Sequence, residues 1–297
     1  EIYFLIEDFG GVTKTLREYE FRNVWKIRSN QRNVDDMKQT LDIIEKRKID
    51  VLIIDRFNIS KNYVKELKKV VKVVVISDLK NINYDADLIV NGFIGYKNRI
   101  KNNQFGTRCV LGPKFQIINK TYSKKTKYKK RYDLLLTVGG YDALNNIEKI
   151  LKELVLNKQK LKICVVLGPA TENKEKIKNI IHNSIHEFTI IKSTQDMKKL
   201  ISQSRFGICG GGITTYEFAS QKVPFAIVCQ YPHQLITARV WQIKKIARNM
   251  KFLKDNRQIR CLINDIIDKK MKLKKTDLID GLGTSRVARE ILQLNSN

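Results

Sequence analysis

The sequence predicts an α/β protein made of two successive doubly wound halves, and three observations carry that expectation. Short apolar runs alternate with helix-period patterns along all 297 residues. The run Val51-Leu52-Ile53-Ile54 is continuously apolar, as expected for a parallel strand covered on both faces. The rhythm is interrupted by a lysine-rich stretch and then restarts, with glycine loops closing the strands of the second half.

In the first half, residues 2–6, 23–27, 49–54, 71–76 and 87–90 read as strands. Val34 to Arg47 and Ser60 to Lys69 have the helical period between them. Asp55 follows its strand at the carboxyl end, where open α/β sheets gather ligand groups. Lys124 to Arg131 reads as a solvated connector. Beyond it, Asp133 to Val138 is a strand that runs into Gly139-Gly140-Tyr141-Asp142-Ala143-Leu144-Asn145, and Ile163 to Leu167 ends in Gly168-Pro169.

The most informative segment comes next. Phe206-Gly207-Ile208-Cys209 is a buried-strand pattern, Gly210-Gly211-Gly212 follows, and Thr214-Thr215-Tyr216-Glu217 opens a helix that leads to the strand Val223–Val228. Glycines let the backbone approach an anion closely, and the first helical turn offers unpaired N–H groups with a positive dipole end. Thr214 or Thr215 can cap the helix or give a hydroxyl to a phosphate oxygen. Glu217, one turn in, is placed to accept hydrogen bonds from a ribose diol. The unit reads as a diphosphate cradle, with a tight strand-to-helix turn without a ligand as the alternative.

Composition narrows the partners. The formal charge is +27. Its lysines are spread along the chain beside Ile and Asn, and no nucleic-acid module accompanies them, so no specific nucleic acid is expected. The apolar runs are too short to span a bilayer. Cys109, Cys164, Cys209, Cys229 and Cys261 form neither a disulfide framework nor a zinc ribbon, which fits a cytoplasmic protein. His182 and His186 have i, i+4 spacing but no acidic partner, and read as a solvated helix face. No cluster calls for a metal or a cofactor.

In order, Gly139-Gly140-x-Asp142-x-x-Asn145, Gly168-Pro169, Gly211-Gly212-Ile213-Thr214-Thr215-Tyr216-Glu217 and Pro232-His233-Gln234 resemble the UDP-sugar hydrolase family of pseudaminic acid synthesis. Spore-coat polysaccharide proteins are similar. Ile53-Ile54-Asp55, Ile76-Ser77-Asp78-Leu79, Asp87-Leu88-Ile89-Val90-Asn91 and Asp280-Gly281-Leu282-Gly283-Thr284-Ser285-Arg286 extend the resemblance over nearly the whole chain. It implies a GT-B fold, two facing Rossmann-like domains with a cleft between them. The boundaries read as 1–120 for the first domain, 121–132 for the linker and 133–297 for the nucleotide-sugar domain.

The resemblance implies hydrolysis of a UDP-linked deoxy-diacetamido sugar with release of UDP. Gly211, Gly212 and Thr214 match the phosphate loop, and Glu217 the ribose-binding glutamate. Gln234 matches the glutamine of an Asn-Gln pair, with His233 where the family has Asn. Gly140 and Asp142 match the loop across the cleft. Two positions depart. The family's first strand and its Gly-x-Gly-His loop are expected ahead of this chain's first strand, which leaves Asp55 and His233 as candidates for the catalytic base. Arg56-Phe57 stands where the family has His-Tyr. A glycosyltransferase, or a nucleotide-sugar-binding homologue without chemistry, are the alternatives.

Overall fold

The two runs of alternating elements become two parallel sheets. A computed structural model describes the chain apart from residues 8–11, 28–33, 58, 125, 172–173, 193, 195 and 295–297 and the side chains of residues 34 and 35. The first half contains β1 (Phe4–Ile6), α1 (Val12–Glu18), β2 (Val24–Lys26), α2 (Val34–Arg47), β3 (Val51–Asp55), α3 (Lys61–Lys68), β4 (Lys72–Ile76), β5 (Leu88–Asn91), β6 (Arg99–Asn102) and β7 (Arg108–Leu111). Five of its strands pair in the order β3-β4-β5-β7-β6, parallel except for the β6–β7 pair. β4 and β5 are buried because their valines, leucine and isoleucine are covered on both faces. Ser60 starts α3, its Oγ accepting from the Tyr63 N–H at 3.0 Å.

β1 and β2 form a separate parallel pair. Arg56, just past β3, ties that pair to the larger sheet. Its guanidinium reaches Glu7 Oε1 at 3.1 Å and also donates to the buried Asp36 of α2. The Tyr63 hydroxyl donates to the same carboxylate at 3.0 Å, and burial pushes that phenol up to about 12.

The second half contains β8 (Tyr132–Thr137), α4 (Asn146–Leu154), β9 (Lys162–Leu167), α5 (Lys174–His182), β10 (Glu187–Lys192), α6 (Met197–Gln203), β11 (Ser204–Gly210), α7 (Thr214–Ser220), β12 (Phe225–Val228), α8 (Pro232–Ile243), β13 (Ala247–Asn249), α9 (Asn256–Ile267) and α10 (Gly283–Gln293). Its six strands run parallel in the order β10-β9-β8-β11-β12-β13. The fold is α/β with two parallel sheets, as the alternation implies.

The halves are joined by packing as well as by the connector. Phe93, Ile94, Ile118 and Tyr122 share one buried cluster with Tyr216, Phe218, Phe225 and Trp241. α10, although it lies within segment 133–297, packs on the first sheet. Its Val287 meets Val74, Leu88, Val90 and Val110, and Arg108 donates to Glu290 at 2.8 Å.

One expectation is refined here and one corrected. The lysine-rich connector is mostly exposed, as expected, and it is also anchored. Lys130 Nζ donates to the carbonyls of Ser202 and Ser204 at 2.9 and 2.7 Å, and Lys198 Nζ donates to the Lys124 carbonyl at 2.6 Å. These ammonium groups reach the carbonyls that the α6 terminus and the passing connector leave unpaired. His186 does not lie on a helix face. It is buried ahead of β10, its Nδ1 accepting from the Leu161 N–H at 3.2 Å and its Nε2 lying 2.7 Å from the Leu154 carbonyl. Among the described residues, no helix is long and apolar enough to cross a membrane.

Candidate functional site

Parallel strands of both sheets end around one cleft, and their carboxyl-end loops furnish it. The β8 loop supplies Gly139 and Gly140, and Gly139 takes φ +100°, a conformation that favours glycine. A Cβ added at Gly139, Gly140 or Gly212 would meet nothing within 4 Å, so all three leave open space over the backbone. Other glycines here serve packing. A Cβ on Gly168 would strike the Gly139 and Gly140 carbonyls, and one on Gly210 would stand 2.6 Å from the Val138 oxygen. Gly211 is buried, and its added Cβ would lie 2.7 Å from that of Gln234. Of the two glycines expected to approach a phosphate, Gly212 is the open one.

α7 begins straight after these glycines with no side-chain cap on its first turn. Thr215 is spent internally. Its hydroxyl donates to the Gly212 carbonyl at 2.8 Å and accepts from the Trp241 indole N–H at 3.2 Å. Thr214 is half-buried and lies near the Glu217 carboxylate. Burial pushes that carboxyl above the usual range, and the nearby Tyr122 and Thr214 hydroxyls pull against it. Tyr122 arrives from the connector, buried, and its own phenol is pushed up by burial and by the Glu217 charge.

Asp142 is committed to the frame. Its two carboxylate oxygens accept from the N–H groups of Asn146 and Ile147 at 2.9 and 2.8 Å, which caps α4. Gln234 is also buried, its Oε1 accepting from the Gln230 N–H at 2.8 Å. Gln230 is a residue that the sequence reading missed. It accepts from the Ala143 N–H and donates to the Val138 carbonyl, both at 2.8 Å, and so latches the β8 loop to the end of β12. The available signal was a glutamine directly after the apolar run Ala226–Cys229.

His233 lies exposed on the first turn of α8, its ring stacked on Tyr231 with centroids 5.7 Å apart and planes 5° from parallel. On its other side stands Phe57 of the first half, 5.8 Å away between centroids. Ile94 N–H donates to the Tyr216 hydroxyl at 3.1 Å, a buried hydrogen bond between the halves. Asp55 closes β3, and Asp78 follows β4. Burial raises the carboxyl of each, Asp78 adds to the shift at Asp55, and His233 opposes the shift at Asp78. No group of three or more His, Cys, Asp or Glu side chains able to hold a metal occurs among the described residues.

Known proteins share both the sequence and the fold. Over 246 residues, 77% of this chain, it is 26% identical to an uncharacterised protein of Methanocaldococcus jannaschii. Over 208 residues, 67% of the chain, it is 27% identical to the spore coat polysaccharide biosynthesis protein SpsG of Bacillus subtilis. Over 218 residues, 71% of the chain, it is 25% identical to the UDP-2,4-diacetamido-2,4,6-trideoxy-beta-L-altropyranose hydrolase of Campylobacter jejuni. The matches span 49%, 61% and 77% of those proteins, so the chain corresponds to about half the length of the first. It is a distant homologue of the last two.

Among solved structures, MurG of Acinetobacter baumannii superposes with a TM-score of 0.65 at 14% identity, over 99% of this chain and 91% of that one. Staphylococcus aureus MnaA, solved with UDP, gives 0.62 at 12% identity, over 95% and 87%. The fold is GT-B. No family model matches the chain. On this GT-B frame the candidate residues gather in two places. Gly140, Gly212, Thr214 and Glu217 stand around the mouth of the second sheet, while Phe57 and His233 meet at the wall between the sheets, with Asp55 two residues ahead of Phe57.

Proposed function

We propose that the chain binds a UDP-sugar, with UDP on the second sheet, and hydrolyses it to free sugar and UDP. The observation that carries this reading is the open backbone over Gly139, Gly140 and Gly212, beside an uncapped helix turn and a half-buried Glu217. The diphosphate would lie over Gly212 and the first turn of α7, where backbone N–H groups stabilise the charge that develops as UDP leaves. Glu217, half-buried one turn into α7, would accept from the ribose diol. The sugar would then extend toward His233, with Asp55 and His233 as candidates for the group that activates water. Distant homology to a UDP-sugar hydrolase and to a spore-coat polysaccharide protein supports the substrate class.

The test is calorimetric titration with UDP, followed by measurement of UDP release from UDP-2,4-diacetamido-2,4,6-trideoxy-beta-L-altropyranose. Binding and release are both expected, and no binding of UDP would overturn the reading. Phe57 favours a second reading, a nucleotide-sugar-binding homologue without chemistry, because it supplies no hydroxyl where the family resemblance has tyrosine. Tight UDP binding with no release from the UDP-sugar would select it.

A further inference from the structure

Asp78 takes no part in the reading above, yet three geometric facts bring it to the reacting end of the cleft. β3 and β4 are neighbouring parallel strands in which Asp55 is in register with Ile76. Pairing continues one residue past β4, the Ser77 N–H donating to the Val90 carbonyl at 2.9 Å. The chain therefore leaves the sheet still extended, and Asp78 emerges on the face that Ile76 and Asp55 share, because side chains alternate along a strand. The third fact is the Phe57–His233 ring contact, which sets the imidazole over these two strand ends from the opposite sheet.

We propose that Asp78 and Asp55 work as a carboxylate pair at the reacting end of the cleft, Asp78 taking the proton of the attacking water and Asp55 holding the proton that the pair shares. This rests on the hydrolase reading. The water oxygen bonds to the anomeric carbon as the bond from that carbon to the diphosphate oxygen breaks. The electron pair leaves with UDP, and the water proton passes to the Asp78 carboxylate. No other reactant is needed.

The division of labour follows from the surroundings. Asp55 has burial and the like charge of Asp78 acting on it, so it is the better keeper of a shared proton. Desolvation acts on Asp78 as well, but His233 lies nearby and favours its ionised form. The Tyr216 phenol is a further titratable group in range of Asp78, and burial together with Asp78 holds it protonated. A carboxylate held above its ordinary range is a stronger base than a solvated one, which suits proton abstraction near neutral pH.

The experiment compares Asp78→Asn and Asp55→Asn with the parent chain in UDP affinity, in UDP release from the diacetamido UDP-sugar, and in carboxyl-carbon NMR titration of labelled aspartate. Asp78→Asn should lose ~10²- to 10⁴-fold in release, the usual range for a positioned base. Its UDP affinity should stay within about twofold, which also reports that it has folded. The Asp55 titration should move to lower pH, since a neighbouring negative charge has gone. Parental release from both variants, or an Asp55 titration unmoved by Asp78→Asn, would overturn the pair. Absence of release from the parent chain with UDP still bound would instead overturn the hydrolase reading on which the pair rests.

Discussion

Glu217→Gln should make the free protein more stable and the UDP complex weaker, two effects of opposite sign from one atom change. In the structure the carboxyl is half-buried and its pKa is raised, with burial as the largest cause. The folded chain therefore binds this proton more tightly than the unfolded chain does. Stability falls as pH rises from the ordinary glutamate range through the raised folded value, and levels off above it. Glutamine keeps the shape and an acceptor oxygen but carries no charge to desolvate. A thermal melt at neutral pH should rise, and its slope across the acid range should flatten.

Binding should move the other way. A hydrogen bond to a charged acceptor contributes about 1.5–3 kcal/mol, so replacing the carboxylate should weaken UDP by about 10- to 150-fold. Calorimetry supplies the affinity, and melts at a series of pH values supply the stability. A Gln variant that binds UDP within about twofold of the parent would refute the assignment of Glu217 to the ribose. An unchanged pH slope would refute the burial argument on its own.

Adjacent glycines should separate packing from ligand approach. Gly211→Ala pushes a methyl toward Gln234 and should cost about 1–3 kcal/mol in urea unfolding, whereas Gly212→Ala should leave unfolding unchanged and weaken UDP. Within the connector, Lys130→Met should lose about 1 kcal/mol of stability because two carbonyls lose a charged donor that is only part-buried. Lys127→Gln, at an exposed position, should stay within about 0.5 kcal/mol by the same urea measurement.

Much of the fold was legible because apolar runs report burial directly. The five strands expected in the first half all occur, and the helix expected from Val34 to Arg47 has those bounds. β6 went unread because all four of its residues are exposed at the sheet edge, where no burial pattern is imposed. Site chemistry was harder to read. A glycine written in sequence does not say whether its missing Cβ makes room for a ligand or for a neighbour, and Gly211 and Gly212 divide on that point. Asp142 shows the same limit, since a carboxylate that caps a helix looks on paper like one that meets a substrate. The Asp55–Asp78 pairing needed the strand register, which joins residues from separate segments. Gln230 acts through long-range hydrogen bonds that no local period records.

The return of α10 to the first sheet has a consequence for the order in which the molecule can form. Val74, Leu88, Val90 and Val110 are laid down early, yet part of their cover is Val287, more than 170 residues later in the chain. During synthesis the first sheet can pair its strands but must leave that apolar face open until the last helix emerges. Long-range closure of this kind is slow and leaves surface exposed to aggregation. It also means that the first 120 residues, expressed alone, would lack part of the cover over these four core side chains. The apolar face of the first sheet is completed only when α10 docks on it.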